Sequence, residues 1–249
     1  MELLKISSLY KTFKKHRVVA VDDVSFTIFK GEVLGLVGES GCGKTTLTKL
    51  ILRLIDADKG SIFYKDKDLL KISHSDMRKT RKSLQIIFQD PYASLDPRMR
   101  IGKTIEEVYD IHKNVPEHER RNKTIELLET VGLGETYLNR LPSELSGGER
   151  QRAGIARALA TDPEFIICDE PVSSLDISIQ AQILNLLIDL QKRKNLTYLF
   201  ISHDLGVIGS ICDRVMVMQS GRFVEFGTCD TIFKNPQQEY TKSLLRSTF

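Results

Sequence analysis

Residues 32–55 read EVLGLVGESGCGKTTLTKLILRLI. The first part is a short apolar run of strand character, and the last part carries leucine and isoleucine at helical spacing. Between them, GESGCGKT at 38–45 matches the pattern G-x-x-x-x-G-K-[ST] at every fixed position. Strand, glycine loop, helix is the order such a loop requires. Gly38, Gly41 and Gly43 let the backbone curl until its N–H groups point inward at an anion, and the helix that follows adds its positive end. Lys44 can then reach the β- and γ-phosphates of a nucleotide, and Thr45 can offer its hydroxyl to Mg²⁺. A mere glycine turn before a helix needs only part of this pattern.

A phosphate loop needs an acidic partner for the metal. FIICDE at 165–170 supplies one, with Asp169 and Glu170 emerging from an apolar run just before Pro171. Asp169 suits Mg²⁺ held through water, and Glu170 suits polarisation of an attacking water. His203 directly follows the strand TYLFIS, and Gln89 ends QIIFQ, both at the strand ends where ligands of open α/β sheets bind. Taken alone, a histidine or glutamine at such a place is as readily structural. LSGGERQR at 145–152 is a second anion device, with Ser146 and the N–H groups of Gly147 and Gly148 opening a helix. Two such devices in one chain, far apart, suggest two chains arranged head to tail, each closing the other's site.

The bulk properties are those of a soluble globular protein. Of the 249 residues, 41% are apolar and 28% charged, and the net charge of +3 gives no reason to expect nucleic acid as a partner. The basic run MRKTRKS at 77–83 reads as a solvated face. No uninterrupted apolar stretch approaches the roughly 18 residues of a membrane span. The start MELLKISSLYKTF lacks the pattern of a secretory signal. The four cysteines form no C-x-x-C pair, which fits a reduced compartment better than a disulfide framework. Cys42, at a helix start, is expected to have a lowered thiol pKa.

ISSLYKTF and VVAVDDVSFTIF read as strands about a basic KKHR turn, and DKGSIFY and LQIIFQD as further strands. IGKTIEEVYDIH and the segment from Glu117 to Val131 are amphipathic helices broken by Pro116. A helix follows from about Gly148 to Ala160, another over SIQAQILNLLIDLQKR, then TYLFIS, RVMVM and RFVEFG as strands and a short helix in the tail. The expected fold is α/β, with 1–90 and 162–249 forming a nucleotide-binding core with an N-terminal antiparallel β subdomain, and about 91–161 forming an inserted helical subdomain.

The ordered set GESGCGKT, Gln89, LSGGERQR, FIICDE, SSLD at 173–176 and His203 resembles the phosphate loop, Q-loop, signature, second acidic motif, D-loop and switch histidine of the ATP-binding subunits of ABC transporters, over nearly the whole chain. The resemblance implies a P-loop NTPase core that hydrolyses ATP. It implies ATP bound by Tyr10, as the adenine-stacking aromatic, and by Gly38, Glu39, Ser40, Gly41, Cys42, Gly43, Lys44, Thr45 and Thr46. Mg²⁺ would be held by Thr45, Gln89 and Asp169, and Glu170, His203 and Gln89 would be catalytic. Ser146, Gly147, Gly148 and Glu149 would act on the ATP of a partner ATPase subunit, identical or paralogous, with Asp176 between the two sites. Two transmembrane permease subunits and, indirectly, an extracytoplasmic substrate-binding protein complete the implied assembly, with this chain peripheral on the cytoplasmic face of the membrane.

FQDPYASLDPRM at 88–99, LPSELSGGERQR and NPQQEYTKSLL look like the oligopeptide, dipeptide and nickel importer branch. The ending soon after YTKSLL places the chain beside the short nickel-type subunits. In this branch the segment after Gln89 faces a short helix of the permease, with Tyr92 and Leu95 as contact candidates. The cargo would be a peptide, nickel or a metal chelate. An exporter-type ATPase shares the same motor chemistry, and 88–99 argues against it. A soluble non-transport ABC ATPase would bring long coiled coils or a second cassette, and neither pattern occurs.

Overall fold

The structure, a computed structural model, describes residues 1–13 and 18–248; the KKHR turn at 14–17 and Phe249 lie outside the described residues. Two compact units are present, one of residues 1–81 with 195–249 and one of residues 82–194.

The first unit begins with two long strands, β1 (Glu2–Phe13) and β2 (Val18–Phe29), paired antiparallel. Burial puts Leu4, Ile6, Val24, Phe26 and Ile28 into the core, and it alternates along β2 from Val24 to Phe29 as period-two patterning requires, while Leu3 beside Leu4 is buried as well. β4 (Lys59–Tyr64) and the two-residue β5 (Lys67–Asp68) extend this sheet in the order β2-β1-β4-β5. This is the expected antiparallel β subdomain.

The same unit holds β3 (Val33–Val37), β8 (Thr197–Ile201), β9 (Arg214–Gln219) and β10 (Arg222–Thr228), in the order β10-β9-β3-β8. β3 pairs parallel with both β8 and β9, and only β10 runs antiparallel. All five residues of β3 are buried, which explains its unbroken apolar reading. A Cβ on Gly35 would lie 3.0 Å from the side chains of Cys212 and Ile208. The glycine therefore lets α8 (Leu205–Ile211), an element the sequence reading left unassigned, pack close on β3. α1 (Lys44–Ile51) follows the glycine loop, and α2 (His74–Thr80) takes up most of the basic run. Arg81, next to it, donates to the carbonyls of Leu52 and Arg53 just past the end of α1, so one cation of that run closes a helix end. α9 (Cys229–Lys234) and α10 (Glu239–Thr248) end the chain.

The second unit contains the parallel pair β6 (Leu84–Ile87) and β7 (Phe165–Asp169). Between them in sequence come the short α3 (Pro91–Ser94), then α4 (Ile101–His112), α5 (Glu117–Thr130) and α6 (Gly147–Leu159). Ile101, Ile105, Tyr109, Leu128, Leu133, Ile155 and Ala156 form their buried seam. α7 (Ile177–Lys194) buries Ile183, Leu187 and Leu190 at i, i+4, i+7. The unit takes in all of 91–161 and reaches beyond it to β6, β7 and α7.

Candidate nucleotide site

In the first unit the loop 38–43 joins β3 to α1. Gly43 caps α1 with φ 118°, and a Cβ there would lie 2.2 Å from the Ala20 carbonyl oxygen. A Cβ on Gly38 would meet the Met218 carbonyl oxygen at the same separation, 2.2 Å. Only glycine fits either position. Lys44 is 6% exposed, and its ammonium donates to the carbonyls of Gly38 at 2.6 Å and Glu39 at 3.0 Å. The loop is thus curled around its own cation. Thr45 is exposed in the first turn of α1, Thr46 is half-buried, and Glu39, Ser40 and Gly41 are open to solvent.

Cys42 corrects an expectation. Burial pushes its thiol up, and Lys44, whose ammonium lies 3.9 Å from Sγ, lowers it by less. The helix start that suggested a reactive thiolate is outweighed by loss of water around the sulfur.

Tyr10 is half-buried on β1, and burial followed by the Asp23 carboxylate, its hydrogen-bond partner, pushes its hydroxyl above the ordinary range. Phe13, at the end of the same strand, is 38% exposed. His203 is exposed beyond β8, where Asp204 caps α8 by accepting from Gly206 N–H at 2.7 Å and Ser202 Oγ accepts from Asp204 N–H at 3.0 Å. The histidine is thus held in a short structured corner.

In the second unit, parallel pairing puts the C-terminal ends of β6 and β7 at one edge, and Gln89 and Glu170 meet there. Gln89 Nε2 donates to Glu170 Oε2 at 3.2 Å. Glu170 has φ 49°, in the left-handed region that non-glycine residues seldom occupy. Its carbonyl accepts from the Ser173 N–H and hydroxyl at 3.3 and 3.1 Å, which fixes the turn. Asp169 is half-buried at the last position of β7, and Asp176 is exposed just before α7. The donors nominated for Mg²⁺ are hydroxyl, carboxylate and amide oxygens, the hard set that this cation takes. Asp169 and Gln89 occupy one strand-end edge of the second unit, with donor chemistry that fits such an ion.

Ser146 caps α6, which begins at Gly147, one residue before the Gly148 start expected from the sequence. Its hydroxyl and its N–H both donate to Glu149 Oε2 at 2.7 Å, and Tyr137 donates to Glu149 Oε1 at 2.5 Å. A Cβ on Gly148 would lie 2.6 Å from Ile179 Cγ2, so this glycine lets α6 approach α7.

Residues 21–173 match the family model described as ABC transporter. The chain belongs to the ABC transporter family. It is 52% identical over 248 residues to the oligopeptide transport ATP-binding protein OppF of Bacillus subtilis, covering 98% of this chain and 81% of that one. It is 48% identical over 235 residues to the dipeptide transport ATP-binding protein DppF of Haemophilus influenzae, covering 94% and 72%. Among solved structures it is similar to the dimeric, post-hydrolysis ATP-binding cassette MJ0796 bound to ADP and Pi, with TM-score 0.82, 27% identity, and coverage of 91% and 99%. The chain is therefore an ABC-type ATPase that binds ATP.

Read as an ABC ATPase, the structure adds Tyr137, which no local pattern marks; it stands nine positions before Ser146 and meets Glu149 only in the fold. The hydrogen bonds from Tyr137, then from the Ser146 N–H and hydroxyl, hold the Glu149 carboxyl down at about 2. A depressed carboxyl contributes its stabilisation in full above its unfolded value and loses it as pH falls through the folded one. The α6 cap is therefore expected to hold above about pH 4.5 and to weaken between there and about pH 2. Acid unfolding followed by circular dichroism, compared between the native chain and Glu149→Gln, tests this. The variant should lose the part of the acid dependence that lies in that window, and an unchanged curve counts against the cap.

Proposed function

We propose that this chain is the ATP-hydrolysing motor of an importer whose cargo is peptides, working on the cytoplasmic face of a membrane as a peripheral subunit. The curl of the phosphate loop around Lys44 carries the reading: a buried cation already held by backbone carbonyls where an anion's oxygens can replace them. Lys44, with the backbone of 38–46, would hold the triphosphate, and Thr45, Asp169 and Gln89 would hold Mg²⁺, which would supply charge neutralisation on the phosphates. Glu170 accepts the proton of the attacking water, Gln89 orients that carboxylate, and His203 supports the γ-phosphate end. Tyr10 stacks on adenine. Phe13 is a second reading for that role, because its ring is exposed at the strand end whereas the Tyr10 hydroxyl is tied to Asp23.

The helical segment 91–161 serves as the signature subdomain. Ser146, Gly147, Gly148 and Glu149 act on the nucleotide of a second ATPase subunit, with Asp176 beside the joint, so that ATP draws two protomers together and hydrolysis releases them. Peptides are favoured over nickel or metal chelates by the relatives, which carry oligopeptide and dipeptide names. None of the helices among the described residues is long and apolar enough to cross a membrane, so two permease subunits would supply the passage.

Docking of the permease is assigned to the face around α3 in the second unit. A cleft of about 220 Å³ there is lined by residues that include the exposed apolar Phe88 and Ile111. Tyr92 is exposed, and its ring stacks on the Arg150 guanidinium at 4.3 Å. Leu95 is only 3% exposed, so it supports this face from beneath and is not a contact. Tyr92→Ala is expected to leave ATP binding unchanged and to lower co-purification of the permease subunits and peptide uptake by about tenfold, the loss of one aromatic anchor. Uptake at the native level would remove the assignment.

A further inference from the structure

We infer that Tyr240 is a positioning residue of the phosphate loop, holding the Glu39 peptide in its binding shape from the far end of the chain. The Glu39 N–H donates to the Tyr240 hydroxyl oxygen at 3.1 Å, across 201 positions of sequence. The carbonyl of the same residue accepts from Lys44 Nζ at 3.0 Å. The peptide at the loop's entrance is therefore gripped at both polar ends, once from within the loop and once from α10.

The outer grip is itself anchored. α10 starts against Glu225 of β10, whose carboxylate accepts from the Gln237 N–H at 2.7 Å and the Gln238 N–H at 3.2 Å. Thr241, next to Tyr240, is fully buried and fixes this turn of α10 against the body of the unit. Burial pushes the Tyr240 phenol up, so it is a neutral hydroxyl at physiological pH. This inference rests on the reading of 38–45 as the nucleotide loop. When a phosphate takes the Lys44 ammonium, the inner grip on Glu39 is released. The bond to Tyr240 does not involve Lys44 and survives. Without it, a loop containing Gly38, Gly41 and Gly43 has more conformations to lose on binding, and affinity falls.

The test is equilibrium binding and turnover of MgATP by the full chain and three variants, beside thermal unfolding. Tyr240→Phe keeps the ring and removes only the acceptor oxygen. The expected result is ATP binding weakened roughly threefold to tenfold, the worth of one hydrogen bond, with KM raised, kcat little changed and the melting temperature close to native. Glu225→Gln, which loosens the anchor and touches nothing in the loop, should move KM in the same direction by less. Lys44→Ala separates the two readings. If it abolishes binding while Tyr240→Phe binds as the native chain does, the positioning role is overturned and the nucleotide loop stands. If both bind normally, the loop reading itself has failed. An affinity loss in Tyr240→Phe that merely follows a lost folded fraction also overturns the role.

Discussion

Glu170→Gln is expected to keep MgATP bound and to lower turnover by roughly 10²- to 10⁴-fold, the range for removing a positioned general base. The change is nearly isosteric, and the Gln89 amide can still donate to the oxygen of the new side chain, so the pair seen at 3.2 Å can persist. What disappears is the carboxylate that takes a proton. The left-handed turn at Glu170 should also survive, because it is fixed by bonds from Ser173 to the carbonyl and not by the side chain. If ATP joins two protomers, the variant should accumulate as a nucleotide-bound dimer, visible by size-exclusion chromatography with ATP present. Turnover at the native rate would take Glu170 out of the reaction.

Lys44→Ala acts at the earlier step. The ammonium contributes hydrogen bonds to ionised phosphate oxygens, each worth about 1.5–3 kcal/mol, so one or two lost bonds weaken ATP binding by roughly 10- to 10⁴-fold. The same substitution leaves the carbonyls of Gly38 and Glu39 without the donor they share in this structure. Some loosening of the loop will therefore accompany the loss of charge. Isothermal titration with ATP and with ADP divides the two effects. A lost charge contact to the γ-phosphate costs ATP more than ADP, whereas a loosened loop costs both alike. Undiminished ATP affinity would show that the 38–45 loop is not where the triphosphate sits.

The two experiments address parts of the motor that were legible to different degrees. The phosphate loop could be read residue by residue, because strand, glycines, lysine and helix are covalent neighbours and their geometry is local. The same holds for the Ser146–Glu149 cap, whose partners are three positions apart. Short elements were harder. α8, over LGVIGSI, has no long periodic stripe, and its place is set by the groove that Gly35 leaves on β3. α2 was hidden because its cations mask the buried Met77 and Thr80. Cys42 was misjudged because a helix start is visible in sequence and a dry pocket is not. Leu95 was misjudged for the same reason.

By itself, the order of residues determined the fold class and the ATPase family, and it nominated the side chains for that chemistry. Those properties depend on patterns a few residues long, set by backbone geometry and side-chain type. The folded chain alone decided which distant groups meet: Gln89 with Glu170, Tyr137 with Glu149, and Tyr240 with Glu39. It also decided how dry each group is. Solvent exclusion and long-range hydrogen bonds arise from what packs in from elsewhere, and no local stretch records its future neighbours.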